Sequence, residues 1–436
     1  MKPALSTPPR EFGGNVVTPG DRRYAALRST YTTRGAPAAI LLPRDTREVV
    51  AAVRFAREQG LPLAVRSGGH GLTGAGTNDG GLVVDLSALD QVEVLDPGTR
   101  LVRVGAGARW ANVAKALAPY GLAISSGDHG NVGAGGLATG GGIGWLVRQY
   151  GLTIDHVRAV EVVLADGTVV RADADREPEL FWAVRGAGAG IGIVVAFEIE
   201  ATRVRDVGVA QIAVAAGPDG DTLHRWARYL AEAPRELSTA VMLMPYGPST
   251  VMSITAVVAD GSPKRARTLV APLLAIGDLL DHRTDTMPYT ALVPTAHLHP
   301  NTGQQPAITT NGLLAGMSEG DARAIMAMAR SGRALVQLRS VGGAVNDVPA
   351  DATAYPHRHQ DTLVVASVFP PDGPAALDAT WRGVSKRMDG AYVNFESRLT
   401  PAAFQRIYPG ETGTAVTEVW RRYDPDGLFR PASLST

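Results

Sequence analysis

Apolar and polar positions follow two rhythms along the first half of the chain. Between Thr46 and Gln59, apolar residues recur every three or four positions, which predicts an amphipathic helix, and Gly60 follows as its stop. Short apolar runs bounded by glycine or proline predict strands. We expect strands at 61–65, 82–86 and 191–200, hairpins at 92–107 and 157–173, and a second helix at 110–117.

The pattern changes after about residue 205, where longer strands alternate with longer helices. Strands are expected at 209–216, 251–258, 334–341 and 362–369, and helices at 222–233, 263–275 and 319–330. Ser318 and Asp321 have the spacing of a capping box for the last helix. This order predicts an α+β lobe with an antiparallel sheet and helices on one side. Residues 287–310 lack periodicity and are predicted to form a loop.

Composition sets the class of protein. The 436 residues suggest two domains or one large domain with an inserted lobe, and the 45% hydrophobic content suffices for packed cores. The formal net charge of zero favours neither nucleic acid nor an anionic membrane as a partner. No apolar run approaches membrane-spanning length and the N-terminal segment lacks an apolar signal core, so we expect a soluble, cytoplasmic protein. The absence of cysteine excludes disulfides, thiolate nucleophiles and cysteine-bound metals.

The first candidate for chemistry is a glycine loop between two predicted strands, at residues 66–71, which read Arg-Ser-Gly-Gly-His-Gly. Glycines let successive backbone N–H groups converge on an anion and let the main chain approach a diphosphate closely. His70 then stands at the mouth of the loop, beside whatever the phosphates carry. The alternative is a glycine-rich surface turn with a solvated histidine.

Two further glycine clusters lie at residues 127–144 and 186–192. So many glycines would destabilise a plain helix by roughly 1 kcal/mol each relative to alanine, so a close approach must require them. No cluster has the G-x-G-x-x-G spacing after the first strand of a βαβ unit, and no Walker A lysine is present, which disfavours Rossmann and P-loop proteins. Three separate glycine loops predict a long cofactor wrapped by a whole domain.

The glycine clusters and their flanks also carry a family resemblance. The segments are 43–70, 135–157 and 179–195, together with Tyr-Val-Asn-Phe at 392–395 and Arg-Arg-Tyr-Asp-Pro-Asp-Gly-Leu-Phe at 421–429. In this order they resemble the flavoprotein oxidases of the vanillyl-alcohol oxidase/PCMH type, berberine-bridge-enzyme-like branch, over nearly the whole chain. The resemblance implies an FAD-binding domain at 1–204, a substrate domain at 205–391, and a C-terminal module at 392–436 that returns to the FAD domain.

The resemblance also implies the cofactor and its ligands. It implies FAD joined through its 8α-methyl carbon to His70, and the alternative is a non-covalent contact of His70 with the flavin edge. A covalent imidazole substituent would raise the flavin potential and favour substrate oxidation. The residues expected at the cofactor are Arg66, Ser67, Gly68, Gly69, His70, Gly71, Gly74, His129, Val132, Gly133, Gly136, Gly140, Gly142, Gly144, Gly192, Ile193, Val194 and Asn394.

The chain departs from the bicovalent members of this family, which carry a second link through cysteine. His129 occupies that position here, and the chain has no cysteine, so a single link through His70 is expected. The stretch from His129 to Gly133 resembles the monocovalent, 6-hydroxynicotine-oxidase-like members. Val132 stands where the family is thought to gate oxygen, and its small side chain is compatible with an oxidase. His129 either serves in substrate contact or proton transfer, or it packs against the flavin.

A second departure concerns the base. Many members end the Tyr-x-Asn-Tyr motif with a tyrosine that accepts a proton, whereas this chain has Phe395, which cannot. Either another group serves, or the substrate, such as a deprotonated amine, needs no strong base. The catalytic candidates are His129, Tyr246, Gln337 and Tyr392, with Tyr355 and His357 also considered, although each is more often an ordinary core or rim residue.

These features predict an oxidase with no metal site. A small-molecule amine or alcohol, expected to be a secondary metabolite, would give hydride to FAD, and O2 would reoxidise the flavin to yield H2O2. The alternatives are a redox-neutral or oxygenating tailoring enzyme and a non-catalytic flavin-binding protein. The expected partners are the small-molecule substrate and O2, with neither nucleic acid nor a membrane, and the expected assembly is a monomer or homodimer.

Overall fold

The computed structural model describes residue 12 and residues 15–247, 249–294 and 306–429. The strands of its first half are β1 (Val16–Val17), β2 (Ala39–Leu41), β3 (Leu63–Arg66), β4 (Leu82–Asp85), β5 (Val92–Asp96), β6 (Leu101–Gly105), β7 (Leu122–Ala123), β8 (Val157–Leu164), β9 (Val169–Asp173), β10 (Gly192–Glu200) and β11 (Thr202–Arg203). One sheet has the order β1-β2-β4-β3, in which β2, β4 and β3 are parallel. A second, antiparallel sheet has the order β5-β6-β10-β8-β9, and β7 pairs with β11.

The helices of this half are α1 (Tyr24–Leu27), α2 (Thr46–Gln59), α3 (Trp110–Leu117), α4 (Ala134–Gly140), α5 (Val147–Tyr150) and α6 (Pro178–Ala187). The predicted bounds of α2 and α3 are confirmed. Local signals define α2: the Asp45 side chain accepts the N–H of Glu48, and Gly60 closes the helix with a left-handed φ of 59°. Val49 and Val53 lie on its buried face.

The second half forms a seven-stranded sheet. Its strands are β12 (Asp206–Ala216), β13 (Leu237–Tyr246), β14 (Ser249–Val258), β15 (Asp278–Pro288), β16 (Ile308–Leu314), β17 (Leu335–Ser340) and β18 (Thr362–Val368). The order is β15-β12-β14-β13-β17-β18-β16, and all neighbours are antiparallel. The predicted α+β class is therefore confirmed.

Helices cover one face of this sheet, and the opposite face is turned toward the first half of the chain. The remaining helices are α7 (Asp221–Glu232), α8 (Pro263–Val270), α9 (Tyr289–Leu292), α10 (Glu319–Arg330), α11 (Pro374–Ser385), α12 (Pro401–Ile407) and α13 (Glu411–Tyr423). Trp226 of α7 and Ile325 of α10 pack with Leu338 and Val364 of the sheet in one core. The capping box of α10 is confirmed, because Ser318 and Asp321 exchange side-chain to backbone hydrogen bonds.

The predicted loop at 287–310 is wrong at both ends. Strand β15 continues to Pro288, and β16 begins at Ile308, while residues 295–305 lie outside the described part of the chain. The apolar pattern did not predict β16, because Thr310 and Asn311 in this strand are polar although they are buried. Thr310 donates to Glu396 at 2.7 Å, and the Asn311 side chain bonds the backbone of Tyr392 at 2.9 and 2.7 Å. The partners lie more than eighty residues away, so no local pattern reveals them.

A buried arginine joins the two halves. Arg148 of α5 donates to the carbonyls of Leu230 and Ala233 at 2.7 and 3.2 Å, and also to those of Pro234 and Leu237. These carbonyls end α7 or follow it, where backbone acceptors lack intrahelical partners and favour a cation. Burial lowers the pKa of Arg148, but its four acceptors hold the guanidinium between the halves.

The C-terminal helices return to the first half. Tyr408 donates its hydroxyl hydrogen bond to the carbonyl of Gly186 at 2.9 Å, and the Trp420 indole donates to that of Ala187 at 3.2 Å. Both side chains belong to the same hydrophobic core as Phe197 and Val104. The third glycine cluster is therefore fixed from the C-terminal side.

Replacing Arg148 by methionine is expected to destabilise the protein by at least about 3 kcal/mol, because each lost hydrogen bond of a charged group contributes about 1.5–3 kcal/mol and the carbonyls stay buried. Thermal unfolding followed by circular dichroism measures the effect. The control is Arg225→Met, since Arg225 on α7 is 55% exposed and pairs with exposed Asp221. Equal melting temperatures for the two variants would contradict the role assigned to Arg148.

Candidate functional site

The first glycine loop starts from a buried ion pair. Arg66 ends β3, and its guanidinium pairs with Asp85, which ends the neighbouring strand β4, at 2.7 Å. A second bond runs to the carbonyl of Ser29 at 3.2 Å. Both members of the pair are less than 7% exposed. Arg66, which was predicted at the cofactor, thus supports the start of the loop, and its charge is paired with that of Asp85.

The first and second glycine clusters touch at Gly68 and Gly133. A Cβ on Gly68 would lie 2.8 Å from the Cα of Gly133, and a Cβ on Gly133 would lie 2.8 Å from the Cα of Gly68. No side chain fits between backbones this close, so both positions require glycine. Ser67 fixes the contact by donating to the carbonyl of Ala106 at 2.6 Å. Part of the glycine content therefore serves the contact between loops.

His70 lies at the rim of this contact. Its ring stacks on Tyr31 with centroids 4.8 Å apart and planes inclined by 16°, and the ring of His129 lies 5.4 Å away. The N–H of Tyr31 donates to the carbonyl of Gly69 at 2.9 Å, which fixes the tyrosine to the loop. Gly74 follows with a left-handed φ of 75° and packs against Thr33. Tyr31 lies in a polar stretch without a motif, so sequence reasoning missed it.

His129 is held by its own loop. Its Nδ1 accepts the N–H of Asn131 at 3.3 Å. Arg109 donates to the carbonyls of Asn131 and Gly68, and so joins the two glycine loops a second time. Val132 of the second loop is half-buried and packs against the core of the first half.

The segment Tyr392–Phe395 packs on the second half of the second cluster. A Cβ on Gly140 would lie 2.8 Å from the Asn394 amide nitrogen. The Tyr392 hydroxyl accepts the N–H of Gly142 at 2.9 Å and the Asn394 amide at 2.8 Å. Burial raises the pKa of Tyr392, so it is a neutral phenol at neutral pH. Gly144 completes the cluster against the backbone of Ser126.

The face of the large sheet opposite the helices contributes Gln337 and Arg339. Alternate residues of β17 are buried among the helices, and these two lie on the opposite face. Arg339 pairs with Asp128, the residue before His129, and its guanidinium carbon lies 4.9 Å above the centre of the Phe395 ring. Burial lowers the pKa of Arg339 to about 10, so the side chain stays cationic at neutral pH. Sequence reasoning missed both Arg339 and Asp128.

The other predicted residues have varied surroundings. Tyr246 is 75% exposed at the end of β13. His357 is buried, contacts the carbonyl of Ile407 at 3.0 Å, and its pKa is lowered to about 4 by burial. Gly192, Ile193 and Val194 begin β10 and pair with β8.

The loops leave donors and space for a long ligand. A Cβ on Gly71 or Gly136 would meet no atom within 4 Å. In the described part of the chain, the backbone N–H groups of Gly69 and Gly71 donate to no protein acceptor. The Tyr355 hydroxyl, beside Gly141, is buried and has no hydrogen-bond partner among the described residues. N–H donors on glycine loops fit a diphosphate, and the open space fits a flat ring.

The described residues hold neither a cluster of metal ligands nor a membrane-spanning helix. Those residues contain no group of three or more histidine, aspartate or glutamate side chains placed to hold a metal ion. No helix in the same ranges has both the length and the apolar character needed to span a bilayer.

Comparisons with known proteins agree with this geometry. Residues 37–173 match the model of an FAD binding domain. The chain is 28% identical to (R)-6-hydroxynicotine oxidase of Paenarthrobacter nicotinovorans, over 99% of this chain and 98% of that protein. The solved structure of 6-hydroxy-D-nicotine oxidase from Arthrobacter nicotinovorans superposes with a TM-score of 0.85 at 25% identity, covering 98% of both chains. Chitooligosaccharide oxidase shares the fold, with a TM-score of 0.85 at 23% identity over 96% of each chain.

Substituting Gly133 by alanine is expected to separate the two loops, because the new methyl group would overlap the backbone of Gly68. We expect a lower melting temperature and at least a several-fold loss of bound FAD, measured as the flavin to protein absorbance ratio. Gly383→Ala is the control, since a Cβ there meets nothing within 4 Å. Wild-type flavin content in Gly133→Ala would show that this contact does not shape the site.

Proposed function

Because the chain is an FAD-linked oxidoreductase of the vanillyl-alcohol oxidase/PCMH type, we propose that it is an oxidase of small molecules that tethers FAD through His70. The substrate is an amine or alcohol that loses hydride from the carbon bearing nitrogen or oxygen, and O2 is reduced to H2O2. The observation that carries the proposal is the position of His70 at the joined glycine loops, stacked on Tyr31 and facing His129.

The residues present fit FAD. The N–H groups of Gly69 and Gly71 would take the diphosphate, and the space beside Gly136 would admit the rest of the dinucleotide. The buried hydroxyl of Tyr355 offers a donor without a protein acceptor in the described ranges. The flavin, when bound, supplies an acceptor for hydride that O2 can reoxidise.

His70 is suited to be a fixed tether. The backbone bond between Tyr31 and Gly69 and the parallel ring stacking hold the imidazole in one plane. His129 stands where bicovalent relatives carry cysteine, and an imidazole held by the Asn131 N–H leaves the chain with one tether. We therefore propose a single covalent link, at His70, and no link at His129.

Proton transfer at this site cannot use residue 395, which is phenylalanine. Tyr392 does not replace it simply, since its neutral hydroxyl already accepts hydrogen bonds from Gly142 and Asn394. His129 is the titratable ring closest to His70 among the predicted catalytic residues, and we assign proton exchange with the substrate to its imidazole. Gln337 would orient the substrate from the sheet.

Acid denaturation tests the tether. The wild-type pellet is expected to stay yellow after trichloroacetic acid precipitation, whereas the pellet of His70→Ala is expected to be colourless, with its FAD in the supernatant. His129→Ala serves as the control and should keep a yellow pellet, because it removes a neighbouring ring but no bond. A colourless wild-type pellet would contradict the covalent link while leaving FAD binding intact.

Oxygen reactivity tests the oxidase assignment. Holoenzyme reduced anaerobically by dithionite is expected to reoxidise in air, and turnover of an accepted amine or alcohol should release one H2O2 per substrate. A peroxidase-coupled assay against amines, alcohols and oligosaccharides measures this. Substrate conversion without peroxide would instead favour a redox-neutral or oxygenating enzyme.

A further inference from the structure

The ion pair of Arg339 with Asp128 lies at the meeting point of the sheet, the histidine loop and the C-terminal segment. Arg339 projects from β17, near the centre of the seven-stranded sheet, with Ala240 and Leu363 as its cross-strand neighbours. Asp128 precedes His129, whose ring lies 5.4 Å from that of His70. Phe395 lies under the guanidinium. The cation is therefore placed beside the proposed reacting centre.

The guanidinium has donors that the protein does not use. Arginine presents five N–H groups in a rigid planar fork. In the described part of the chain, its hydrogen bonding is confined to Nη1 and the Asp128 carboxylate, and its buried Nε has no hydrogen-bond partner. The small side chain of Ala240 and the apolar Leu363 add no competing acceptor on either side.

The position is shielded but not closed. The Arg339 side chain is 13% exposed and that of Asp128 25% exposed, so the pair can be reached without unfolding. The face of Phe395 keeps water from one side of the guanidinium and attracts its charge. A partly desolvated arginine with unused donors matches a carboxylate, whose two oxygens accept parallel N–H bonds.

We infer that Arg339 determines specificity by binding a carboxylate of the substrate, and that Asp128 is a positioning residue that holds the guanidinium. This inference rests on the proposed function. It narrows the proposed substrates to carboxylic acids that also carry the alcohol or amine to be oxidised. A cationic amine without a carboxylate meets repulsion from Arg339, which Asp128 offsets in part. A purely structural ion pair, by contrast, would give no preference among isosteric acids and amides.

Isosteric probes test the inference on the holoenzyme. Isothermal titration calorimetry is expected to give a Kd for benzoate about tenfold lower than for benzamide, the effect of one charge-assisted hydrogen bond. Arg339→Met should remove this preference, with wild-type FAD content showing that the variant folds. The control is Arg283→Met, because Arg283 on β15 of the same sheet is 81% exposed and pairs with Asp285. This control should keep the preference.

A second variant separates charge from shape. Asp128→Asn keeps an oxygen acceptor for Arg339 but removes a competing negative charge, so benzoate should bind more tightly than to wild type. Benzoate binding no better than benzamide in wild type, or an unchanged preference in Arg339→Met, overturns the inference. Peroxide formation from neutral alcohols with no acid preference would overturn it and leave the oxidase proposal standing. A preference for acids that depends on Arg339, found without peroxide formation, would support the inference and contradict the oxidase proposal.

Discussion

The site depends on one steric constraint, the approach of two backbone segments at Gly68 and Gly133. The distance between them leaves no room for a Cβ on either residue. This approach places the loop that carries His70 against the loop that carries His129, and the two rings come within 5.4 Å. Hydrogen bonds of Arg109 to both loops support the contact but could not replace it, because a side chain at either glycine would already exclude the pairing.

Close approach of protein segments also explains why an individual glycine in these clusters need not contact a ligand. Gly140 makes room for Asn394, and the N–H of Gly142 is bonded by Tyr392, so these two positions serve the docking of the C-terminal segment. Gly71 and Gly136 face open space instead. Cofactor-wrapping domains therefore use glycine for two purposes, and only the structure separates them.

How much the sequence predicts follows from the range of the interactions. Helices at 46–59 and 319–330 are predictable because their caps lie within three residues of their ends. The order of the glycine blocks likewise indicates the domain and its histidines. Strand β16 escapes prediction because its polar residues are satisfied by residues far along the chain. Tyr31 and the pairing of Asp128 with Arg339 escape for the same reason, since the ion pair spans 211 positions.

Residue 395 contributes no titratable group to the site. A phenylalanine offers an apolar π face and no titratable group, so it can lie under a guanidinium but cannot share its proton. The proposed function assigns acid–base work to the histidine loop, and our inference assigns recognition of charge to the sheet. Asp128 links the two, because it adjoins His129 in the chain and bonds Arg339 in space. A substrate bound by Arg339, as we infer, would consequently be held against the loop to which the proposed function assigns proton transfer.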